Sequence, residues 1–431
     1  MNSRRLRILI VSKELSPIKG SEAAVGWNIV TRLSKYHDLT VLYASGSQFN
    51  QKSYVNVIDN YFKNSPPFSG LTLVNIDYPK ITKIISYFNS IFEKLSPVGL
   101  PVLFYIGYKY WQKAAFKEAK RLHKINNFNI VHQLTQITFR EPGFLWKLGI
   151  PFFWGPTGGT ATFPKEFNAI LSVRSQILAN IRRVSNAYQF NFTPRIIKAN
   201  RKAAVIYTFS EIDAVRLKKR TNNQVKIMLD VGTYKRSENH ECTLNNSKFL
   251  KGIWCGRLDD YKAPLILLKA LSKSQVTRER IELQIIGSGP LERTLLKVAD
   301  ELNLKNISWL RNVSHEEVFK LMRQADFFIH TSIQEATSSV ILEALSMGLP
   351  VICHDAFGMS IAVNETCGIK IPLKSPEHSF NGFNKAMERL IIDKKFLYEL
   401  KLGAIKRANE ISWEIMAETI ANDYLTLSYN N

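Results

Sequence analysis

Cysteine is scarce in this chain: four residues in 431, Cys242, Cys255, Cys353 and Cys367, with no Cys-x-x-Cys pair. A disulfide scaffold and a cysteine zinc site are thereby excluded, and core thiols in a reducing compartment are expected. No Asp-x-Asp triplet occurs, and the eight histidines show no metal-ligand spacing, so no metal centre is expected. The longest uncharged apolar stretch, 96–108, falls well short of the roughly 20 residues that span a bilayer. The first apolar run, Leu6 to Val11, follows Arg4-Arg5 directly and is too short for the core of a secretion signal. Gly-x-Gly-x-x-Gly, zinc-finger spacing, an RNA-binding aromatic motif, a helix-turn-helix pattern, repeats and low-complexity segments are all missing. A cytoplasmic protein is the expectation.

Acidic residues are also few, 36 against 58 Lys and Arg, for a net charge of +22. Such an excess calls for an anionic partner: nucleic acid, anionic lipid or nucleotide phosphate. With no nucleic-acid motif in view, a membrane surface ranks first and nucleic acid is not expected.

What is present is an α/β chain. Hydrophobic content of 45% and charged content of 22% are those of a globular protein, and the length predicts two domains of about 200 residues each. The most informative stretch runs from Ala325 to Cys353. Ala325 to His330 reads as a buried strand, and Thr337 or Ser338 is placed to cap a helix. Gly348 and Pro350 end that helix before a second strand at Val351. The helix start offers free N–H groups to a phosphate. Glu335 lies before it and Glu343 inside it. Two carboxylates flanking an anion site make sense if each accepts hydroxyl groups, as a nucleotide sugar provides; they also suit two solvated glutamates.

Glu335-x7-Glu343, followed by Ala-Leu-x-x-Gly-x-Pro-Val, closely resembles the motif of the family 4 (group 1) retaining glycosyltransferases. The resemblance implies the GT-B fold, two Rossmann-like domains with parallel sheets facing a cleft and a last helix crossing back to the first domain. It implies a donor-sugar contact for Glu335 and a ribose contact for Glu343. The family's Glu-Gly-Phe-Gly variant is replaced here by Glu335-Ala336-Thr337-Ser338, leaving Thr337, Ser338 and Ser339 on the donor side. Gly256-Arg257, followed five residues later by Lys262, matches the family's diphosphate-binding pair. A forked guanidinium and a point-charge ammonium suit two phosphates and a departing charge. Gly287-Ser288-Gly289-Pro290 resembles the family's turn near the nucleotide, and Val313 falls where the base is seated.

Earlier in the chain, Leu6 to Val11 is a first buried strand. The loop Gly20-Ser21-Glu22 takes the first strand-to-helix turn, where Rossmann-like domains approach a ligand; a simple tight turn is the alternative. Asn129 to His132 reads as a strand ending in a histidine that points into the ligand crevice, or else a structural hydrogen-bonder. Residues 81–117 set Ile84, Ile85, Phe88, Ile91 and Phe92 at helical spacing, either a packed helix or an interfacial one. Residues 165–202 carry eight cations, among them Arg174, Arg182 and Arg183, against Glu166 alone. They read as a basic amphipathic insertion on the first domain, or as solvated surface. The expected domains are 1–235 on the acceptor side and 249–411 for the donor, with a linker within 232–247 and a crossover helix over 412–431.

The resulting expectation is a metal-independent retaining transferase with no cofactor. It would move a sugar from a nucleotide-diphosphate donor to an acceptor hydroxyl, on a lipid-linked or polysaccharide-precursor acceptor at the inner membrane face. Catalysis falls to Glu335, Arg257, Lys262 and His132, and donor binding to Glu343, Thr337, Ser338, Ser339, Gly20, Ser21, Gly287 and Val313. A nucleotide-sugar epimerase on the same fold, and a non-catalytic basic scaffold binding membrane or nucleic acid, are the alternatives.

Overall fold

The computed structural model describes residues 5–18, 20, 22–48, 53–92, 99–235 and 247–429. Two parallel sheets organise it. The first contains β1 (Arg7–Ser12), β2 (Asp38–Ala44), β3 (Leu71–Ile76), β4 (Ile130–Thr135), β5 (Phe152–Thr157), β6 (Ala203–Thr208) and β7 (Gln224–Ile227), in the order β3-β2-β1-β4-β5-β6-β7. The second contains β8 (Leu250–Cys255), β9 (Ile281–Ile286), β10 (Ile307–Leu310), β11 (Phe327–His330), β12 (Val351–Asp355) and β13 (Gly368–Pro372), in the order β10-β9-β8-β11-β12-β13.

The central strands are continuous apolar runs because helices cover both faces of a parallel sheet. β4 and β5 are buried at every position, and β1 at all but its first. In each sheet the strand order reverses between two neighbours, β1 beside β4 and β8 beside β11. Loops leaving the carboxyl ends of such a pair diverge and open a crevice.

The chain forms two compact units. Unit 1 gathers 1–160, 188–230 and 413–431; unit 2 gathers 161–187 and 231–412. The segment 161–187, read from the sequence as an insertion on the first domain, groups with unit 2 because its polar side chains find partners there, Ser172 on Asp260 and Arg182 on Gln334. The last helix, Trp413–Tyr429, returns to unit 1 and packs on the helix Glu22–Leu33. Arg32 and Glu414 pair there at 2.6 Å, and Tyr207 donates to Asp423 at 2.7 Å. Most of the expected linker, 236–246, lies outside the described residues, as does Cys242; Cys255, Cys353 and Cys367 are free thiols.

Candidate functional site

In unit 2 the loops after β8 and β11 are stitched together. Asp259 accepts the backbone N–H groups of Tyr261 and Lys262, at 3.1 and 2.9 Å, and folds the first loop into a turn. The Lys262 carbonyl accepts the Thr331 hydroxyl at 2.9 Å, and the Tyr261 carbonyl accepts the Ile333 N–H at 2.9 Å. Trp254, buried in β8, also donates its indole N–H to Thr331 at 3.0 Å. This seam brings Lys262 and Glu335 together: the ammonium donates to the carboxylate, with both side chains partly exposed, 24% and 20%.

Glu335 is strongly acidic. Burial works to raise its pKa, but the His330 ring and the Lys262 ammonium outweigh burial and hold it at about 2. His330 ends β11 and is buried; its Nε2 faces the Glu335 carboxylate at 3.7 Å, and Nδ1 has no partner. Burial lowers the His330 pKa below the ordinary histidine range, so near pH 7 the charged groups here are Lys262 and Glu335.

The helix Ser339–Ser346 begins one residue after Ser338. Ser338 takes the N-cap position, yet its side chain makes no cap hydrogen bond, so the capping expected of it is not observed. Thr337 and Ser338 are buried and Ser339 is exposed. Gly348, in the left-handed region at φ 74°, terminates the chain's turn out of this helix as expected. Glu343 faces His315, whose Nε2 lies 3.4 Å away, and its charge adds to burial in raising the Cys255 thiol to about 11. That places Glu343 beside the carboxyl end of β8. Arg257 is largely exposed, its Nε 3.7 Å from Asp259.

Gly287 is required where it stands. Its φ is 139°, and a Cβ there would meet the Gly256 carbonyl at 1.9 Å. This contact locks the turn after β9 to the loop carrying Arg257, with the Leu258 N–H donating to Ser288 at 3.0 Å. Val313 is half-buried just after β10. Unit 2 therefore gathers Arg257, Lys262, Glu335, Glu343, Thr337, Ser338, Ser339, Gly287 and Val313 at or near the carboxyl ends of its strands.

The unit 1 candidates do not form such a group. His132 is fully buried, with Nδ1 2.6 Å from the Tyr424 hydroxyl and Nε2 2.6 Å from the Gly155 carbonyl. Burial lowers its pKa to about 4, against the Gly155 contact. β4 runs on to Thr135, so His132 sits inside the strand rather than at its end. It is a core hydrogen-bonder here, and the catalytic placement expected of it is not what the structure shows. Gly20 is exposed with open space around its Cβ position; Ser21 lies outside the described residues.

At the carboxyl end of β1 stands a pair that the sequence reading passed over. Lys13 is fully buried and bonds Glu14 at 2.5 Å, while the Tyr54 hydroxyl donates to the same carboxylate. The rings of Tyr78, Phe104 and Tyr108 surround the ammonium at 6.0, 5.7 and 5.1 Å. His330, Tyr261 and Gln334 were missed as well; only His330, polar at the end of an apolar strand, carries a signal a sequence could show. Among the described residues, no cluster of three or more His, Cys, Asp or Glu side chains could hold a metal, and no helix is long and apolar enough to cross a membrane.

Comparison with known proteins bears on unit 2 first. The family described as "Glycosyl transferases group 1" matches residues 235–402. A D-inositol 3-phosphate glycosyltransferase of Streptomyces bingchenggensis is 29% identical over 184 residues, covering 40% of this chain and 39% of that protein. An N-acetylgalactosamine-N,N'-diacetylbacillosaminyl-diphospho-undecaprenol 4-alpha-N-acetylgalactosaminyltransferase of Campylobacter jejuni is 27% identical over 143 residues, covering 33% and 38%. The chain thus spans about two fifths of the length of the curated relatives it matches. Among solved structures, a sucrose-phosphate synthase of Thermosynechococcus elongatus superposes with a TM-score of 0.63 at 14% identity, over 99% of this chain and 100% of that one. HepE of Anabaena, solved in complex with UDP-glucose, gives 0.57 at 14% identity, over 98% and 100%. With two parallel α/β sheets of seven and six strands, the fold is of the GT-B class.

Proposed function

On the premise that residues 235–402 belong to the group 1 glycosyl transferases, we propose that this chain transfers a sugar from a nucleotide-diphosphate sugar to an acceptor hydroxyl, with retention at the anomeric carbon. The observation that carries this is the Lys262–Glu335 pair, formed across the two loops where the strand order reverses. Lys262 and Arg257 neutralise the leaving diphosphate, together with the unpaired N–H groups that open the helix Ser339–Ser346. Glu335, ionised at any physiological pH, accepts hydroxyls of the transferred sugar, and Glu343 those of the ribose. The sugar–phosphate bond breaks as the acceptor oxygen bonds on the same face, and the acceptor proton passes to the departing phosphate oxygen. A retaining hydrolase would need two carboxyls about 5–5.5 Å apart at the sugar, whereas Glu335 and Glu343 stand on separate elements. Without an Asp-x-Asp triplet, the two cations take the part a metal would play.

The acceptor reading is a lipid-linked saccharide at an anionic membrane face. The helix Lys80–Ser90 carries Lys80 and Lys83 and leaves Ile84, Tyr87 and Phe88 exposed, and the helix Val173–Phe192 exposes Val173, Ile177, Ile181 and Val184. Such faces suit the headgroup boundary, and each Lys or Arg near an anionic leaflet adds about 1 kcal/mol. The name of the Campylobacter relative points to the same kind of acceptor. Arg182 and Arg183 have partners within unit 2, so the lipid-facing charges to test are Lys80 and Lys83. Salt-sensitive co-sedimentation with anionic but not neutral liposomes, reduced in Lys80→Glu/Lys83→Glu, is the expected result; equal partitioning to both lipids counts against it.

The central experiment is a thermal-shift screen with a panel of nucleotide-diphosphate sugars, followed by transfer assays with excess chelator. A stabilising donor and chelator-resistant transfer are expected. No shift with any donor, or activity restored only by a divalent metal, overturns the respective part. Product formed without acceptor would favour an epimerase.

A further inference from the structure

The segment 161–187 reaches both loops of the unit 2 site. Phe163 meets the ring of Tyr261 edge-on, centroids 6.1 Å apart. Phe167 is fully buried and stands edge-on to His354, whose Nδ1 engages the Ser332 carbonyl at 2.9 Å. Ser172 donates twice to Asp260, from its backbone N–H at 3.2 Å and its hydroxyl at 2.6 Å. Arg182 completes the set: its guanidinium carbon lies 5.5 Å from the Tyr261 ring centroid, and Nη1 donates to the Gln334 side-chain oxygen at 3.2 Å. Arg183 turns back into the segment, donating to Asn168 at 3.1 Å over the Phe163 ring.

Tyr261 immediately precedes Lys262, and Gln334 immediately precedes Glu335. One side chain therefore holds the neighbours of both charged groups in the site. The Tyr261 hydroxyl is buried without a hydrogen-bond partner, so its ring is held by the Arg182 and Phe163 contacts and not by a polar anchor at its tip.

We propose that residues 163–183 form a clasp that keeps loop 257–262 in register with loop 332–335, and that Arg182 is the positioning residue for the Lys262–Glu335 pair. The proposal rests on the transferase reading above, in which that pair meets diphosphate and sugar in a single geometry. Arginine suits the task because a planar guanidinium stacks on a ring and donates sideways at once; a lysine ammonium does not. An exposed cation–π contact contributes only about 0.5–1 kcal/mol to stability. A displacement of about 1 Å at reacting groups, by contrast, costs around a hundredfold in rate. Loss of Arg182 should therefore be seen in turnover far more than in folding.

The test compares Arg182→Ala, Arg182→Lys and Ser172→Ala, which removes one of the two hydrogen bonds of the other anchor, with the wild-type chain. Arg182→Ala should lower kcat by about ten- to a hundredfold while its affinity for a bare nucleoside diphosphate stays within about threefold. Arg182→Lys should not rescue it, and Ser172→Ala should fall between. Independently of any donor, hydrogen exchange at 257–262 and 332–335 should quicken in Arg182→Ala with no change in the midpoint of global unfolding. Unchanged exchange in both loops overturns the clasp, as does a kcat within about twofold of wild type or full rescue by lysine. A wild-type chain that turns over no nucleotide sugar overturns the transferase reading instead, and the exchange comparison still decides the clasp.

Discussion

Each unit places a Lys–Glu pair at the point where its strand order reverses, and the two pairs are built in opposite ways. In unit 1, Lys13 and Glu14 are consecutive residues after β1, and the lysine is sealed by three aromatic rings with no exposure at all. In unit 2, Lys262 and Glu335 come from different loops and keep 24% and 20% of their side-chain surface. A pair closed by rings has its partners fixed once the chain folds, so its energy goes into the fold. A pair divided between two loops and open to solvent can exchange partners with a ligand. The same topology thus yields a structural ion pair and a candidate reactive one, and the difference lies in what covers them.

Breaking the sealed pair should have the largest effect on folding. Burial disfavours the Lys13 charge, but the Glu14 carboxylate together with Tyr78 and Tyr108 outweighs burial and keeps its pKa well above the ordinary lysine value. Lys13→Met fills the ring-lined space without a charge and leaves the largely covered Glu14 carboxylate, 13% exposed, with only the Tyr54 hydroxyl. Removing one partner of a buried pair costs about 3–5 kcal/mol, read as a lower urea midpoint. Nucleotide binding by the folded variant should be unchanged. A loss below about 1 kcal/mol, the range of an exposed pair, would erase the contrast between the units.

Breaking the open pair should act on chemistry. In the proposed transfer, Lys262→Ala and Arg257→Ala would each take a cation away from the leaving diphosphate, and loss of one such stabilising group costs about 10²–10³ in turnover. Stability should move by less than about 1 kcal/mol, because a partly exposed ion pair contributes little. Single-turnover rates for both variants within about threefold of wild type would remove unit 2's pair from the chemistry.

How much of this was legible in the sequence follows from the same contrast. The unit 2 loops could be read because each motif is local: Arg257 and Lys262 share one turn, and Glu335 and Glu343 flank one helix start. The sealed pair could not, because its cover comes from Tyr54, Tyr78, Phe104 and Tyr108, side chains brought in from separate elements by the fold. The clasp escaped for the same reason: Ser172 and Arg182 find partners 88 and 152 residues further on. Read locally, their segment shows only basic residues at helical spacing. His132 was misread because a strand's end is its least legible feature; three more residues of β4 turn a crevice histidine into a core one. The parallel sheets were legible from their apolar runs, the order of their strands only through the resemblance.

The smallest expected effect is also the one that sets the two units apart by sign. Glu22 opens the helix Glu22–Leu33 and accepts the Ile137 N–H at 2.9 Å. Burial, with the Glu14 charge adding to it, raises its pKa from 4.5 to about 7, against the pull of Ile137 and Lys13. Between those values the folded state holds a proton that the unfolded state has released. Its contribution is therefore complete below pH 4.5 and is lost as pH rises through 7. Glu335, held at about 2, runs the other way: its contribution is present above 4.5 and is lost as pH falls toward 2. Glu22→Gln keeps an oxygen for Ile137 and has no charge to expel. Relative to wild type it should gain on the order of 1 kcal/mol between pH 5 and pH 8, allowing for its partial exposure. Glu335→Gln should instead lose stability about equally at both pH values, since the wild-type carboxylate is ionised throughout that range. Urea titrations at the two pH values measure both. Parallel stability curves for wild type and Glu22→Gln would mean that the unit 1 carboxylate titrates as an ordinary surface acid, and that the ring-sealed cluster around Lys13 does not extend to it.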